Sequence, residues 1–190
     1  MPSDLQVDNI KDGSATKTLA EYSSSAWSWG SGVPVGTSIQ SKIFIYKAVQ
    51  DQTASTSFEP TNVTVDIDPK YTGSKIIIRF SLVYGISSGS TAGVRIYRSI
   101  GGTATGLSIS TGGSYNTGTG LYPDSDNYPG HNYIISGMDE DTSQSTLTHT
   151  YRVHFGTNNS VSRRINGRTN ESTTPVQGTI SSIEVTEIKQ

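Results

Sequence analysis

The chain has 190 residues, enough for one domain of ordinary size with an arm and too few for two full domains. Only 32% of them are hydrophobic and 16% charged, and the formal net charge of −2 gives no electrostatic drive toward nucleic acid or an anionic membrane. With no cysteine, a disulfide framework and a thiolate zinc site are both excluded, so stability has to come from packing, hydrogen bonds and burial between subunits.

Gly, Ser, Thr and Asn fill the remaining positions. These residues favour strands and turns over helix, because Ser, Thr and Asn compete for helical hydrogen bonds and Gly costs helix stability. The opening Met1-Pro2-Ser3-Asp4 lacks the basic start and apolar run of a secretory signal, and no stretch of about 18 apolar residues is present to span a bilayer. The chain is therefore expected to be made in soluble form and to reach its site by assembly, without membrane insertion.

Residues Met1 to about Ser38 read as a distinct N-terminal arm. A polar opening, Ser3 to Lys17, precedes Thr18-Leu19-Ala20-Glu21-Tyr22 and then Ser23 to Gly30, which holds both tryptophans, Trp27 and Trp29. A segment this rich in Ser and Gly has little reason to carry two large apolar rings unless they are buried, either on their own domain or on a partner. With Leu5, Val7 and Ile10 they are the candidate partner-binding residues of the arm.

From Ile39 onward the chain alternates as strands separated by turn residues. Ile39 to Val49 sets Ile43 and Ile45 on one face and Phe44 and Tyr46 on the other, which predicts cover on both sides. Val63, Val65 and Ile67 point inward in the next strand, with Thr64 and Asp66 outward. Lys75 to Tyr84 has the clearest period of two and is placed centrally; Val94 to Arg98 follows and is expected to pair with it as a hairpin. The stretch from Gly101 to Gly130, rich in Gly, Ser, Thr and Tyr, reads as a long surface excursion with at most a short strand at Leu107 to Ser110. Strands resume at Asn132 to Ser136, Leu147 to Phe155, Val161 to Ile165 and Gln177 to Ile188. About eight strands without a helical period predict an all-β, jelly-roll-type β-sandwich over residues 39–190.

Chemistry is sparse. His149 and His154 are five apart and face opposite sides of a strand, so with His131 they make a poor metal set. Asp124-Ser125-Asp126-Asn127 lacks the glycine and glutamate spacing of a calcium loop. Asp139-Glu140-Asp141 reads as a hydrated loop. No Gly-x-Ser-x-Gly elbow, no cysteine nucleophile and no phosphate loop is present, so neither a catalytic residue nor a cofactor is assigned. Paired acids for glycoside hydrolysis would have to come from Asp66, Asp68, Asp124, Asp126 and Asp139, and nothing selects a pair. Arg163 and Arg164, with Arg168, form the only basic cluster; it is an exposed strand and turn, or faces an acidic patch on a neighbouring subunit. Tyr115, Tyr122, Tyr128 and Tyr133 form either a sugar-binding or neighbour-contact loop, since tyrosine faces stack on pyranose rings, or an aromatic cluster packed on its own sheet.

Tyr71-Thr72-Gly73-Ser74-Lys75-Ile76-Ile77-Ile78, Val94-Arg95-Ile96-Tyr97-Arg98, Tyr151-Arg152-Val153-His154-Phe155, Arg164-Ile165-Asn166-Gly167 and the ending Ile180 to Ile188 carry a resemblance. In that order they resemble the β-sandwich modules of structural and tail-fibre proteins of marine bacteriophages, which look like the trimeric C1q and tumour-necrosis-factor jelly rolls. Leu5-Gln6-Val7-Asp8-Asn9-Ile10-Lys11-Asp12 is similar to the short leader by which such proteins attach to the particle. The resemblance implies a homotrimer with apolar side chains meeting near its axis, Ile43 and Ile45 among them. It also implies a non-enzymatic virion protein, made in the host cytoplasm, whose partners are itself, other virion proteins and a host surface glycan. A capsid decoration protein is the alternative within that class, and a glycan depolymerase the alternative outside it.

Overall fold

The computed structural model describes residues 9–11, 18–23, 26–29, 32–86, 90–107, 122–124, 131–139, 147–167 and 180–190. In chain order the strands are β1 (Asn9–Lys11), β2 (Thr18–Ser23), β3 (Ala26–Trp29), β4 (Ser38–Tyr46), β5 (Gln50–Gln52), β6 (Glu59–Ile67) and β7 (Lys75–Ile86). They continue as β8 (Ser90–Ile100), β9 (Thr103–Gly106), β10 (Tyr122–Asp124), β11 (His131–Asp139), β12 (His149–Thr157), β13 (Arg163–Ile165) and β14 (Ser181–Ile188). The described residues contain no helix.

Strands β1 to β3 form a small antiparallel sheet of their own. Ala20 stands opposite both Ile10 and Trp29, and Tyr22 opposite Trp27, so within the expected arm this stretch is a paired meander. The chain entering β4 is bonded to the far end of the protein: Gly36 N donates to Lys189 O at 2.7 Å and Lys189 N to Thr37 O at 3.0 Å, with Val33 buried nearby in sequence.

The remaining strands make two facing antiparallel sheets. In the first, β14 takes residues 75–81 of β7 and β13 takes residues 84–86, so β13 and β14 lie end to end along one edge of β7. β4 pairs β14 and β5 pairs β13 in the same way, while β11 covers the other edge of β7. The second sheet runs β6-β12-β8, with β9 and β10 both paired to the remaining edge of β8. Each sheet thus has four strand positions. The chain changes sheet at each of the six joins where it does not simply continue along or fold back on one, which is the jelly-roll arrangement.

This topology corrects the expected hairpin. β7 and β8 belong to opposite sheets, and each turns an apolar row inward: Ile76, Ile78, Phe80, Leu82, Tyr84 and Ile86 on one, Ala92, Val94 and Ile96 on the other. Both edges of β7 are taken by β11 and by β13 with β14, and both edges of β8 by β12 and by β9 with β10, so neither strand has an edge left for the other. Val63, Val65 and Ile67 of β6, Tyr151, Val153 and Phe155 of β12, and Ile165, Ile183 and Val185 complete the core, where Tyr84 and Phe155 meet across the layers with ring centroids 4.8 Å apart. β7 is central, as its alternation predicts. The final strand starts at Ser181, four residues later than expected from Gln177.

The expected single excursion over residues 101–130 is also revised. Among the described residues it holds two short strands, β9 and β10, and the expected strand from Leu107 to Ser110 lies, beyond Leu107 itself, outside them; Leu107 N donates to Ile96 O at 2.9 Å and its side chain packs against the core.

Three buried polar groups fasten the sandwich where its strands break or cross. Glu187 points inward with Val185 and Ile183, and its carboxylate accepts from Lys70 N (2.9 Å), Tyr71 N (3.1 Å), Ser74 Oγ (2.7 Å) and Gln40 Nε2 (2.7 Å). That fixes the β6–β7 crossover, where Gly73 adopts φ 83°, a left-handed backbone that suits glycine. Burial raises the Tyr71 phenol pKa above 10.0, and the Glu187 carboxylate adds to the shift. At the break between β13 and β14, Asn166 is buried at φ 56°, its Nδ2 donating to Tyr46 O (2.8 Å) and Ala48 O (3.1 Å). Ser181 Oγ donates to Asn166 Oδ1 at 2.7 Å and accepts from Val83 N at 3.0 Å, so two side chains replace the ladder hydrogen bonds that the break would leave unmade.

Candidate functional site

The run Lys42-Ile43-Phe44-Ile45-Tyr46 is apolar on both faces of β4, a pattern that pays only when both faces are covered. In the structure β4 is an edge strand. Its inner face carries Phe44 and Tyr46, stacked at 6.5 Å between centroids. The outer face carries Ile43, 62% exposed, and Ile45, 49% exposed, with the exposed Ile180 close in register at the start of β14. Cross-strand, Ile43 stands beside Glu184 and then Arg79, which approach to 3.9 Å as an exposed ion pair. Ile43, Arg79, Ser81, Ser182 and Glu184 rim a shallow depression of about 170 Å³ on this sheet, floored by Phe80. The expected cover on both sides of β4 is thus supplied by this chain only in part and on the inner side, where Tyr46 is half-buried and Phe44 still exposed.

The two arginines separate. Arg163 is 1% exposed and lies between the sheets, where Nη1 donates to Ser57 O (3.1 Å) and Phe155 O (3.0 Å) and Nη2 to Thr53 O (2.7 Å). This corrects the expectation of an exposed turn. β13 alternates Arg163 and Ile165 inward, and the guanidinium serves the β5–β6 crossover, over the Phe155 ring at 6.0 Å. Burial lowers its pKa below the usual guanidinium range, and Glu59 opposes that shift. Arg164 points the other way and pairs with Asp51.

The second outward face, over β12 and β8, is polar. Thr150, Arg152 and His154 alternate outward on β12 and stand in register with Ser99, Tyr97 and Arg95 of β8. All of these but Arg95, together with Gly102 of the β8–β9 turn and Ala104 of β9, border a cleft of about 320 Å³. The His154 and Tyr97 rings pack at 4.0 Å, and His154 Nδ1 lies 3.3 Å from Phe58 O. Below it, Phe58 is held between the Arg95 guanidinium, 4.1 Å from its centroid, and Gly156, where a Cβ would come within 3.1 Å of the ring.

Burial lowers the pKa of His154 below 6.5; the Phe58 carbonyl and Glu59 oppose the shift, and Arg152 adds to it. The unfolded chain therefore binds a proton at this residue more readily than the folded one. The stability it contributes is complete above pH 6.5 and declines as the pH falls through that value toward the lower folded pKa. Urea midpoints measured from pH 7.5 to 5 should fall with acidification, and His154→Gln should flatten the curve in that window; an unchanged slope would assign the acid sensitivity elsewhere.

The other sequence-predicted residues are dispersed. Ile10, Trp27 and Trp29 lie on the three-stranded sheet, while Leu5 and Val7 fall outside the described residues. Tyr122 sits on β10 opposite Ala92 and Tyr133 on β11 opposite Leu82, in different sheets, and Tyr115 and Tyr128 are outside the described residues. His149 is turned into the sandwich, with Nδ1 3.4 Å from Tyr151 Oη, and His154 is turned out, as their spacing predicts. Among the described residues no group of three or more His, Asp and Glu is placed to hold a metal ion. Asp124 and Asp139 end strands of opposite sheets, and Asp68 accepts from Thr148 Oγ1 at 2.7 Å.

No family model matches this chain, and no curated protein matches it significantly. Among solved structures it is similar to the VP2 subviral particle of infectious bursal disease virus, at 12% identity and a TM-score of 0.41, over 80% of this chain and 42% of that one. The Gx strain of that virus gives 12% identity and a TM-score of 0.35, over 80% of this chain and 43% of that one. Its derived T=1 particle gives 10% and 0.38, over 81% and 37%. The chain spans about two fifths of the length of these solved chains.

Proposed function

We propose that this chain is a structural protein of a virus particle, a bacteriophage tail-fibre or appendage component that attaches through its first 38 or so residues and presents a homotrimeric β-sandwich. The observation that carries the reading is the outer row of β4. Ile43 and Ile45 stand exposed on a sandwich whose core is otherwise complete, and the sequence makes both faces of that strand apolar. A fold alone does not assign a function. A jelly roll that seals its own interior and leaves isoleucines on one flat sheet is, however, suited to isologous or cyclic packing with copies of itself.

Each isoleucine buried in such a contact stabilises it by about 1.5–3 kcal/mol. The double variant Ile43→Lys, Ile45→Glu should therefore sediment as a folded monomer where the unaltered chain sediments as a trimer. A wild-type chain that is monomeric at micromolar concentration and above would remove the proposal. Protein copy number in purified particles distinguishes an appendage, present at a few trimers, from a capsid decoration protein present at every capsomer.

A further inference from the structure

We infer that the cleft on the outer face of the β6-β12-β8 sheet, between Arg152, Tyr97 and the β8–β9 turn, is a binding site for a single carboxylated sugar residue. This goes beyond a particle role and holds wherever the chain is placed. The cleft encloses about 320 Å³, at the lower end of the about 300–1,000 Å³ typical of small-ligand sites, which suits one sugar ring and not an extended polymer.

Its lining supplies the three kinds of contact that such a ring takes. Arg152 is exposed and forms no ion pair among the described residues, so its planar fork is open to a carboxylate, which it matches in a bidentate manner. Ser99 and Thr150, paired across β8 and β12, place two hydroxyls beside it for sugar hydroxyls. Tyr97 stands directly opposite Arg152 in register, and its ring is already held by His154 at 4.0 Å, so little side-chain freedom is lost when a ligand settles against it. Room comes from the small residues of the turn. Gly101 and Gly102 adopt φ 59° and 90°, which lets the chain fold sharply back, and Ala104 is the only side chain that β9 contributes to the lining.

An anion-only site would need the cation and nothing else; here the hydroxyl pair and the fixed aromatic ring converge with it. The test is an NMR titration of the full chain with sodium glucuronate and with N-acetylneuraminate, alongside glucose and inorganic phosphate. Saturable millimolar binding of at least one acidic sugar is expected, shifting Tyr97 and His154 resonances, with glucose and phosphate at least tenfold weaker. Arg152→Met, at an exposed strand position, should weaken that binding tenfold or more. Ala104→Phe, which leaves Arg152 untouched and fills the cleft from the exposed β9, should abolish it. Equal binding of phosphate, equal binding of glucose, failure of both acidic sugars, or unchanged affinity in either variant would overturn the assignment.

Discussion

Replacing Glu187 by Ala is expected to destabilise the chain by about 3–5 kcal/mol, because four neutral donors lose one shared charged acceptor at about 1–3 kcal/mol for each left unsatisfied. The reason is the number of groups that depend on one carboxylate. The backbone N–H groups of Lys70 and Tyr71, the Ser74 hydroxyl and the Gln40 amide all donate to it, and Ser74 and Glu187 are sealed from water. Alanine leaves the buried Ser74 hydroxyl and the part-buried N–H groups of Lys70 and Tyr71 without their acceptor at the β6–β7 crossover. Glu187→Gln keeps the shape and one acceptor oxygen, so its cost should be smaller, about 1–3 kcal/mol. Urea denaturation at fixed protomer concentration separates the two, since association would otherwise move the midpoints. A Glu187→Ala midpoint indistinguishable from wild type would show that the crossover is held by something else.

Arg163→Met should cost a comparable amount, about 3–5 kcal/mol, because three carbonyls lose a charged donor at about 1.5–3 kcal/mol for each such hydrogen bond. Methionine roughly fills the volume and can still pack on Phe155, so the loss isolates the hydrogen bonds to Thr53, Ser57 and Phe155 carbonyls. Those three acceptors belong to two different stretches of chain, the β5–β6 crossover and β12, so the guanidinium acts as a rivet between the sheets. Arg163→Lys restores the charge but not the fork, and one ammonium cannot span acceptors served by two separate nitrogens. It should recover less than half of the lost stability. A lysine variant as stable as wild type would mean that charge and not geometry is what the site requires. Thermal and urea midpoints of the three proteins, compared at one concentration, decide the matter.

How far the sequence carried the structure can be judged from individual strands. The period of two in β6, β7, β12 and β14 located the core, because in a two-layer sandwich an inward residue has nowhere to go but the other sheet. The same alternation also implied that Glu187 points inward beside Val185 and Ile183; an acid at such a position signals a buried acceptor, and that signal was there to be used. Arg163 was legible in the same way, two residues before Ile165 on one face, but three arginines close together in sequence look like a surface. Pairing was not legible. The period of β7 and β8 says which side of each strand is greasy and says nothing about whether the two share a sheet, so the hairpin expected from their adjacency gave way to a crossover. The Arg152, Tyr97 and His154 cleft could not be read either, since its members are joined by register across strands more than 50 residues apart in sequence.

The short strands around Asn166 and Ser181 have a practical consequence. Asn166 and Ser181 bond to each other and both to Val83 of β7, so one clasp holds β13 and β14 to the same strand. Cutting the clasp from either side, by Asn166→Ala or Ser181→Ala, should consequently loosen both short neighbours of β7 together, so the double change costs less than the sum of the two.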